Sequence, residues 1–595
     1  MRAARAGSWL TLLLLAGGLL PGPAAAAQEG TAAEPAAAEL ALSRQRAERV
    51  AQLDELSRNQ RTPFVASPAP GDPTIVLTPR PAPWTIAEVR GLFPAAFSTG
   101  PSTLLLGQSL FVARGARLQV RGQEVRRLLL LSTPERFVSL SAWRAGIELS
   151  GSRLHPLTVS SWDPGRGGPD PRPEDGRAFI LARGSAMTAM AATFSHLGFG
   201  DGRTSGVAWA GLAAVAGLGV AGTPATGTVT NSTFRHNRVG AYSDQAPDMS
   251  WTRNQFLAND GHGFEAHSGC RALVLDGNTA TGNGGHGFLL ARGCRDNLLQ
   301  ANQAVGNAGS GIVLGNGSAT PVGATGNTVI SNTATGNAAA GLVVDGGTGN
   351  RLRGNTVQGG ATGIEIRNSR ANPVEGNTVS DVKGNTVSDV KGPGIDLDGG
   401  AGNQITGNRI ERSHVGLYLK RAASGGVVSR NQILASAQFG IYLAEGASRN
   451  RASGNFIKGA FSGIRAKDAR GNRIAGNTVV GATDSGISLH GDVRGTLVLD
   501  NLVSGRGGRS PIERLSSPAG LAGVRVEANR TDGWEVARPV LAPLDQARHF
   551  LRFHPTALLW ALVLLVPAVA LPLRLWHRRR VRRWYRTATT GRTDA

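Results

Sequence analysis

The sequence predicts an all-β protein folded as a right-handed parallel β-helix, a solenoid of short stacked coils. Glycine is very common and aromatic residues make up 5% of the chain, which argues against a layered α/β enzyme. Strand-like pieces such as GLYL and NRI alternate with Gly-Asn steps. A glycine followed by a small, aliphatic or aromatic residue also recurs, mostly every 22 to 24 residues, at Gly240, Gly263, Gly287, Gly311, Gly341, Gly363, Gly394, Gly416, Gly440, Gly463 and Gly486.

A period near 23 with three short strands sets the expected organisation. Each coil leaves an apolar face open, and stacking buries those faces as one column. Asparagine at the turns tolerates left-handed backbone and can bond the coil next to it. We therefore expect a helical, low-complexity segment at 28–60, irregular β structure and first coils at 61–170, the regular β-helix at 171–491, and a cap and linker at 492–550. A helix predicted at 39–56 would cap the open end of the solenoid.

Both ends of the chain carry export and membrane signals. Residues 1–27 have a basic start, an apolar run and a small-residue cleavage site, as in a signal peptide. Residues 553–573 are apolar over about the length of a transmembrane helix. The arginine-rich tail at 574–595 places that end in the cytoplasm. We expect an exported, periplasmic or otherwise extracytoplasmic domain anchored in the cytoplasmic membrane by a single C-terminal span.

The formal net charge is +22, and most of it stays in the exported part. A basic exported domain can bind a polyanion or a membrane surface. We expect no nucleic-acid partner, because the domain is predicted to lie outside the cytoplasm and the sequence contains no nucleic-acid-binding motif.

Two near-identical segments point to a site. GHGFEAHSGCR at 261–271 is followed by GHGFLLARGCR at 285–295, one period later. Because strand side chains alternate, Glu265 and His267 should point outward, with Leu289 beneath Glu265. Arg292 comes one residue past the position beneath His267, where the strand gives way to the turn. The two segments therefore predict a carboxylate, an imidazole and a guanidinium on one outer face.

Further outward positions on this face carry polar and charged side chains. They suit an extended anionic sugar polymer, although a merely solvated face is an equally good interpretation. The predicted substrate-binding residues are Asp244, Arg367, Tyr418, Lys420, Tyr442, Arg465 and Lys467.

Two other pairs are spaced by one period. His262 and His286 lack an obvious third or fourth ligand, so we predict a stacked histidine ladder rather than a metal site. Cys270 and Cys294 should stack within disulfide range, and an exported location permits the bond.

Residues 160 to 314 resemble the periplasmic mannuronan C-5-epimerases, the alginate epimerases, which are right-handed β-helices. The resemblance rests on SSWDPGRGGPD, HLGFGDGRTSG, NSTFRHNRVGAYSDQA, GHGFEAHS and HGFLLARG. The family motif is Gly-aliphatic-Asp-Pro-His-Asp, followed about one coil later by His-Gly-Ile-Ile-Val-Ser-Arg. Glu265 then takes the place of the first Asp, His267 of the catalytic His and Arg292 of the Arg, with Tyr242 on the preceding coil. The chain departs from the motif at Glu265, at Ala266 and at Ser268.

The resemblance implies C-5 epimerisation of uronate residues in a mannuronan- or alginate-like polymer, without metal or organic cofactor. His267 would be the general base, Arg292 would bind the carboxylate, Glu265 would orient the imidazole, and Tyr242 or water would return the proton. Two alternatives stay open. A polysaccharide lyase shares the first step, and a non-catalytic scaffold or polymer-binding protein could serve a polysaccharide export or synthesis complex.

Overall fold

A computed structural model describes residues 37–67, 72–100, 102–214, 222–291, 293–315, 323–382 and 392–537. The chain divides into two compact units, residues 1–535 and residues 536–595. The predicted signal peptide at 1–27, the predicted span at 553–573 and the basic tail at 574–595 lie outside the described residues. Within the described residues, no helix combines the length and apolarity needed to cross a membrane.

The described residues form a parallel β-helix, as the sequence predicts. Each coil contributes one strand to each of three long sheets, and apart from two antiparallel hairpins at the N-terminal end the neighbouring strands pair in parallel. Sheet 1 contains Phe64–Ala66, Thr74–Leu77, Ser109–Val112, Ser139–Trp143, Phe179–Arg183, Val207–Ala210, Ala241–Asp244, Phe264–Ala266, Phe288–Leu290, Ile312–Leu314, Ala340–Asp345, Thr362–Arg367, Pro393–Asp398, Val415–Lys420, Phe439–Leu443, Ser462–Lys467, Ser485–His490 and Ile512–Leu515.

The other two walls are built in the same way. Sheet 2 contains Trp84–Thr85, Arg117–Arg121, Gly146–Ser150, Ala186–Met190, Thr228–Thr230, Ser250–Thr252, Val274–Asp276, Leu298–Gln300, Thr328–Ile330, Arg351–Arg353, Pro373–Glu375, Gln404–Thr406, Val427–Ser429, Arg451–Ser453, Arg473–Ala475, Leu497–Leu499 and Arg525–Glu527. Sheet 3 contains Phe97–Gly100, Thr103–Leu106, Arg127–Leu131, Leu157–Trp162, Ala192–Ser195, Thr233–Arg235, Gln255–Leu257, Thr279–Thr281, Gln303–Val305, Thr333–Thr335, Thr356–Gln358, Thr378–Ser380, Arg409–Glu411, Gln432–Leu434, Phe456–Lys458, Thr478–Ala482, Leu502–Gly507 and Trp534–Val536.

Coils lie on both sides of the regular repeat at 171–491. First coils are present within 61–170, as predicted, and Thr74–Leu77 already pairs in parallel with Ser109–Val112. At the other end, Leu497–Leu499 pairs with Arg525–Glu527. The early coils lack the Gly-Asn turns that mark the later ones, so the sequence shows no regular period there. Much of the segment predicted as a cap and linker at 492–550 is therefore a further coil.

The turns are joined by asparagine ladders, which the sequence predicted. One ladder runs through Asn254, Asn278 and Asn302, where the side-chain oxygens of Asn278 and Asn302 each accept hydrogen bonds from the backbone N–H and the amide of the asparagine one coil before. Each amide also donates to a carbonyl of the preceding coil, for example Asn278 Nδ2 to Trp251 O at 2.8 Å. Because these side chains are fully buried, every polar group in them needs such a partner.

In the described part of the chain, two α-helices flank the coils: α1 at Ala37–Ser57 and α2 at Ile86–Leu92. Short 3₁₀ turns lie at Pro94–Ala96, Gly202–Thr204 and Ala519–Leu521. The side chains of Ile86 and Val89 on α2 belong to the interior column of the solenoid.

The prediction that the N-terminal helix caps the open end is wrong. Val50 and Leu53 of α1 instead pack on the outer face of sheet 1, in one cluster with Phe111, Phe179 and Leu181. The outward positions of the first coils are apolar, so they need a cover, and α1 supplies it. This position makes α1 one wall of the site described below.

The predicted disulfide is not formed. Cys270 and Cys294 are free thiols, both buried in the interior column. The Cys270 thiol donates to Ser243 O at 3.3 Å and the Cys294 thiol to His267 O at 3.2 Å. The two cysteines stack one coil apart, as predicted. Each thiol donates a hydrogen bond to a carbonyl of the preceding coil, and the two sulfurs are not covalently bonded.

Candidate active site

The outward side chains of sheet 1 form a single in-register column, here called the outer column. Strand pairing places Tyr242 beside Glu265 and Glu265 beside Leu289. Phe264 and Ala266 point inward into the core, as predicted. The outer column runs through Val76, Phe111, Ser141, Leu181, Ala208, Tyr242, Glu265, Leu289, Val313, Val343, Glu365, Asp396, Tyr418, Tyr442, Arg465, Ser488 and Glu513.

A cavity of about 820 Å³ lies on this face, between α1 and the coil of His267. One wall is α1, a second is the loop at 200–203, and the floor is sheet 1. Its polar lining combines four arginines with several acids: Arg44, Arg183, Arg203, Arg238, Glu48, Asp201, Asp244 and Glu265. The volume falls in the range of small-ligand sites.

The loop at 198–204 is held over the cavity by α1. Ser43 Oγ lies 2.6 Å from Thr204 Oγ1, and the backbone N–H of Gly200 donates to a carboxylate oxygen of Glu39. Gly202 has a φ of +57° and a Cβ there would lie 3.4 Å from Tyr242 Oη. Glycine therefore permits the left-handed turn that places the loop beside the tyrosine hydroxyl.

His267 is half-buried at the mouth of the cavity. Its Nδ1 lies 3.1 Å from Ser268 Oγ. Its ring centre is 6.1 Å from that of Tyr242. The hydrogen bond to Ser268 occupies one ring nitrogen, so Nε2 is the atom left for chemistry in the cavity.

Burial perturbs the three ionisable groups around His267. It raises the pKa of Tyr242, and the charges of Glu265 and Asp244 raise it further, so the phenol stays protonated. Burial also raises the pKa of Asp244, although His267 and Arg203 oppose that shift. The pKa of Glu265 rises to about 7, first through burial and then through the charges of Asp201 and Asp244.

These contacts revise one predicted role. The sequence assigned Glu265 to orient the imidazole, but the charges acting on Glu265 are those of Asp201 and Asp244. The carboxylate whose charge interacts with His267 is Asp244, which the sequence had assigned to substrate binding. The reason is register: Asp244 precedes His267 by one coil at the same outward position, whereas Glu265 is paired with Tyr242.

The site also contains residues that the sequence prediction missed. Arg203 Nη2 lies 3.7 Å from Asp244 Oδ2. Arg183 has a pKa lowered to about 10 by burial and by the charge of Arg203. Both lie far from the repeated motif along the chain, and GFGDGRTSG, whose glycines indicate a tight loop, was the available signal. Arg292, the predicted carboxylate-binding residue, lies outside the described residues.

The cavity does not reach the other predicted substrate-binding residues. Arg367, Tyr418, Lys420, Tyr442, Arg465 and Lys467 lie farther along the same face of sheet 1, as predicted, but none lines the cavity. Lys420 pairs with Asp396 at 2.8 Å, and Tyr418 donates to Glu445 at 2.9 Å.

An apolar stretch of the outer column separates the two regions. It consists of Leu289, Val313 and Val343, which are at most 6% exposed. The cavity and the charged residues farther along sheet 1 therefore do not form one continuous polar surface.

The pair formed by His262 and His286 is structural, as predicted. The His262 and His286 rings stack 4.9 Å apart and nearly parallel. The backbone N–H of His286 donates to His262 Nδ1 at 2.9 Å, and burial lowers the pKa of His262 to about 3. Both observations require a neutral imidazole at His262. Over the described ranges, no three His, Cys, Asp or Glu side chains are grouped as metal ligands.

Comparisons with known protein families agree with this fold. A family model described as a right handed beta helix region matches residues 206–324 and 381–503, in keeping with the predicted hand. A second, described as a periplasmic copper-binding protein (NosD), matches residues 318–383. No curated protein sequence matches the chain significantly.

The chain is also similar to several solved structures, including members of the family that its sequence resembles. A double mutant of the periplasmic alginate epimerase AlgG is 18% identical, with a TM-score of 0.46 over 62% of this chain and 82% of that one. AlgG itself is 14% identical, with a TM-score of 0.42 over 75% and 85%. The A-module of the mannuronan C-5 epimerase AlgE4 from Azotobacter vinelandii is 16% identical, with a TM-score of 0.34 over 64% and 92%. At these values the function has to be inferred from the residues of this chain.

Replacing Glu265 by glutamine is expected to raise the free energy of unfolding above pH 7 by on the order of 2 kcal/mol. With a pKa of about 7, against about 4.3 in the unfolded chain, the folded protein holds this proton more tightly. Stability should therefore fall as the pH rises from about 4.3 to about 7 and then level off. Urea unfolding at several pH values measures the slope, which Glu265→Gln should flatten and the exposed-site control Glu124→Gln should leave intact. An unchanged slope in Glu265→Gln would mean that this carboxyl is ionised throughout.

Proposed function

We propose that the protein is a polysaccharide-modifying enzyme that epimerises uronate residues at C-5 by proton abstraction. The observation that carries the proposal is the pairing of a half-buried imidazole with a protonated phenol in a cavity rich in arginine. The motifs around Tyr242 and His267 that resemble the mannuronan C-5-epimerases support the same chemistry.

The first step is removal of the C-5 proton by His267 Nε2. An imidazole suits this task because its unperturbed pKa of about 6.5 lies near the working pH. Asp244 carries the negative charge that stabilises the imidazolium as it forms. Because Ser268 holds the other ring nitrogen, the reactive nitrogen keeps its orientation toward the cavity.

The carbanion next to the carboxylate needs neutralisation, since negative charge moves onto the carboxylate oxygens. Arg203, held beside Asp244, is the described guanidinium that we assign to this task. Arg292 remains a second candidate on the sequence pattern alone. Either arginine can perform this task, because a planar guanidinium can donate to both oxygens of a carboxylate.

The second step is return of a proton to the opposite face of the sugar. We assign it to the Tyr242 hydroxyl, which burial keeps protonated. The ring centres of Tyr242 and His267 are 6.1 Å apart, so the phenol and the imidazole are neighbours in the cavity. None of these steps calls on a metal or an organic cofactor.

The test is incubation of the protein with polymannuronate in deuterated water, followed by proton NMR and by absorbance of unsaturated sugars. Deuterium at C-5 of intact polymer, with new guluronate signals, is the expected result. Unsaturated chain ends would instead identify a lyase. If no uronan tested shows either change, the result would favour the non-catalytic scaffold of an export or synthesis complex.

We further propose that the β-helix works outside the cytoplasm on an anionic polysaccharide. The basic composition supports a polyanionic partner. Attachment through residues 553–573 remains a prediction from the sequence.

A further inference from the structure

Two buried hydrogen-bond donors at the α1 end of the cavity have no acceptor among the described residues. Trp143 Nε1 and Arg183 Nη1 are both out of contact with solvent, and in the described part of the chain neither has a hydrogen-bond partner. Trp143 and Arg183 are direct neighbours on paired strands of sheet 1 and point to the same outer face. Both line the cavity.

Unpaired buried donors are rare because each one loses its hydrogen bonds to water without replacement. Two of them side by side, one on a guanidinium, indicate that an acceptor belongs between them. Arg44 and Arg203 line the same cavity, together with four acids. An oxyanion can accept hydrogen bonds from both donors, and a bond from a guanidinium to an oxyanion is among the stronger kinds.

The position of the pair separates it from the reacting residue. Strand pairing leads from Asp244 through Ala210 to Arg183, and His267 lies one coil beyond Asp244. At about 4.8 Å per strand, Arg183 is roughly 14 Å from His267 along the outer face. A single sugar ring does not span that distance, but an oligosaccharide does.

The outer face closes just past this pair. Ala113, the outward position beyond Trp143 toward the N-terminal end, is 2% exposed and belongs to the cluster covered by α1. A saccharide that extends from His267 toward α1 must therefore end near Trp143.

We propose that Trp143 and Arg183 form an anion subsite that binds the carboxylate of a second uronate, at or near the end of the bound saccharide, on the α1 side of the residue at His267. The proposal rests on the proposed function for the nature of the ligand, a uronate oligomer. It assigns α1 a role in substrate selection, since the helix limits how many residues fit beyond the reacting one.

The test compares the dissociation constants of saturated oligomannuronates of two and four residues, measured by calorimetry on the full chain. The parent protein should bind the tetramer about 10- to 100-fold more tightly than the dimer, the increment of one charge-assisted contact. Arg183→Gln and Trp143→Phe, which keeps an aromatic side chain but removes the N–H donor, should reduce that ratio toward one. Because the ratio is taken within each protein, a partly unfolded variant still reports it.

Sheet 3 offers a matched control. The Arg127 guanidinium lies 5.4 Å from the ring centre of Trp162, away from the cavity. Arg127→Gln and Trp162→Phe should leave the ratio unchanged. An unchanged ratio in Arg183→Gln and Trp143→Phe, or binding of inorganic phosphate without binding of either oligomannuronate, would overturn the subsite.

The subsite and the proposed function can fail separately. Tetramer binding that depends on Arg183, without deuterium exchange at C-5, would keep the subsite and reject the epimerase. Exchange at C-5, together with a tetramer-to-dimer affinity ratio that is the same in Arg183→Gln and Trp143→Phe as in the parent, would keep the epimerase and reject the subsite.

Discussion

Replacement of His267 by glutamine is expected to reduce deuterium exchange at C-5 of polymannuronate by about 10²- to 10⁴-fold, the usual contribution of a general base. Glutamine keeps polar bulk at the position but accepts no proton near neutral pH. The loss should appear in kcat rather than in oligomer binding, because the imidazole acts on the transition state. Proton NMR of the polymer in deuterated water gives the rate.

His490 provides the matched control. It is an outward-facing histidine on sheet 1, like His267, but it lies many coils away and outside the cavity. His490→Gln should keep the parent rate. Equal activity of His267→Gln and His490→Gln would remove His267 from the mechanism.

Replacement of Asn278 by alanine is expected to lower the free energy of unfolding by about 3–5 kcal/mol, one of the larger effects of a single substitution. The change removes the acceptor for the backbone N–H and the amide of Asn254, and the donor to Trp251 O and to Asn302 Oδ1. The groups left behind stay buried without partners, and each costs about 1–3 kcal/mol. Urea unfolding followed by circular dichroism measures the loss.

A surface residue of the next coil separates the ladder from general β-sheet effects. Gln303 is an exposed strand residue that pairs with Thr279 across sheet 3. Gln303→Ala should change the free energy of unfolding by no more than about 0.5 kcal/mol. Comparable losses in both variants would mean that the asparagine ladder adds nothing specific to stability.

The fold was predictable because repetition multiplies a weak signal. A single Gly-Asn step or one three-residue strand predicts little, but spacings of 22 to 24 residues in eight of the ten intervals between eleven glycines specify a solenoid. The first coils were predicted only as irregular, because their turns differ and no period can be counted. The position of α1 was predicted wrongly, since nothing in a helical pattern says which apolar surface the helix will cover.

The site was predictable only where it coincides with the repeat. Glu265 and His267 interrupt two otherwise matching segments, so strand alternation places both on the outer face. Arg203 and Trp143 reach the cavity through a loop and an irregular early coil, and no spacing rule links them to His267. The predicted polymer-binding residues share the outer face, as strand alternation predicts, but buried Leu289, Val313 and Val343 separate most of them from the cavity.

The most direct test of the account is a crystal structure of the His267→Gln variant with a saturated tetramannuronate. The account predicts a saccharide in the cavity between α1 and residue 267, with one C-5 facing the side chain at 267 and with Tyr242 on the opposite side of that ring. A saccharide bound to the charged face around Lys420 and Arg465, or to another sheet, would contradict it.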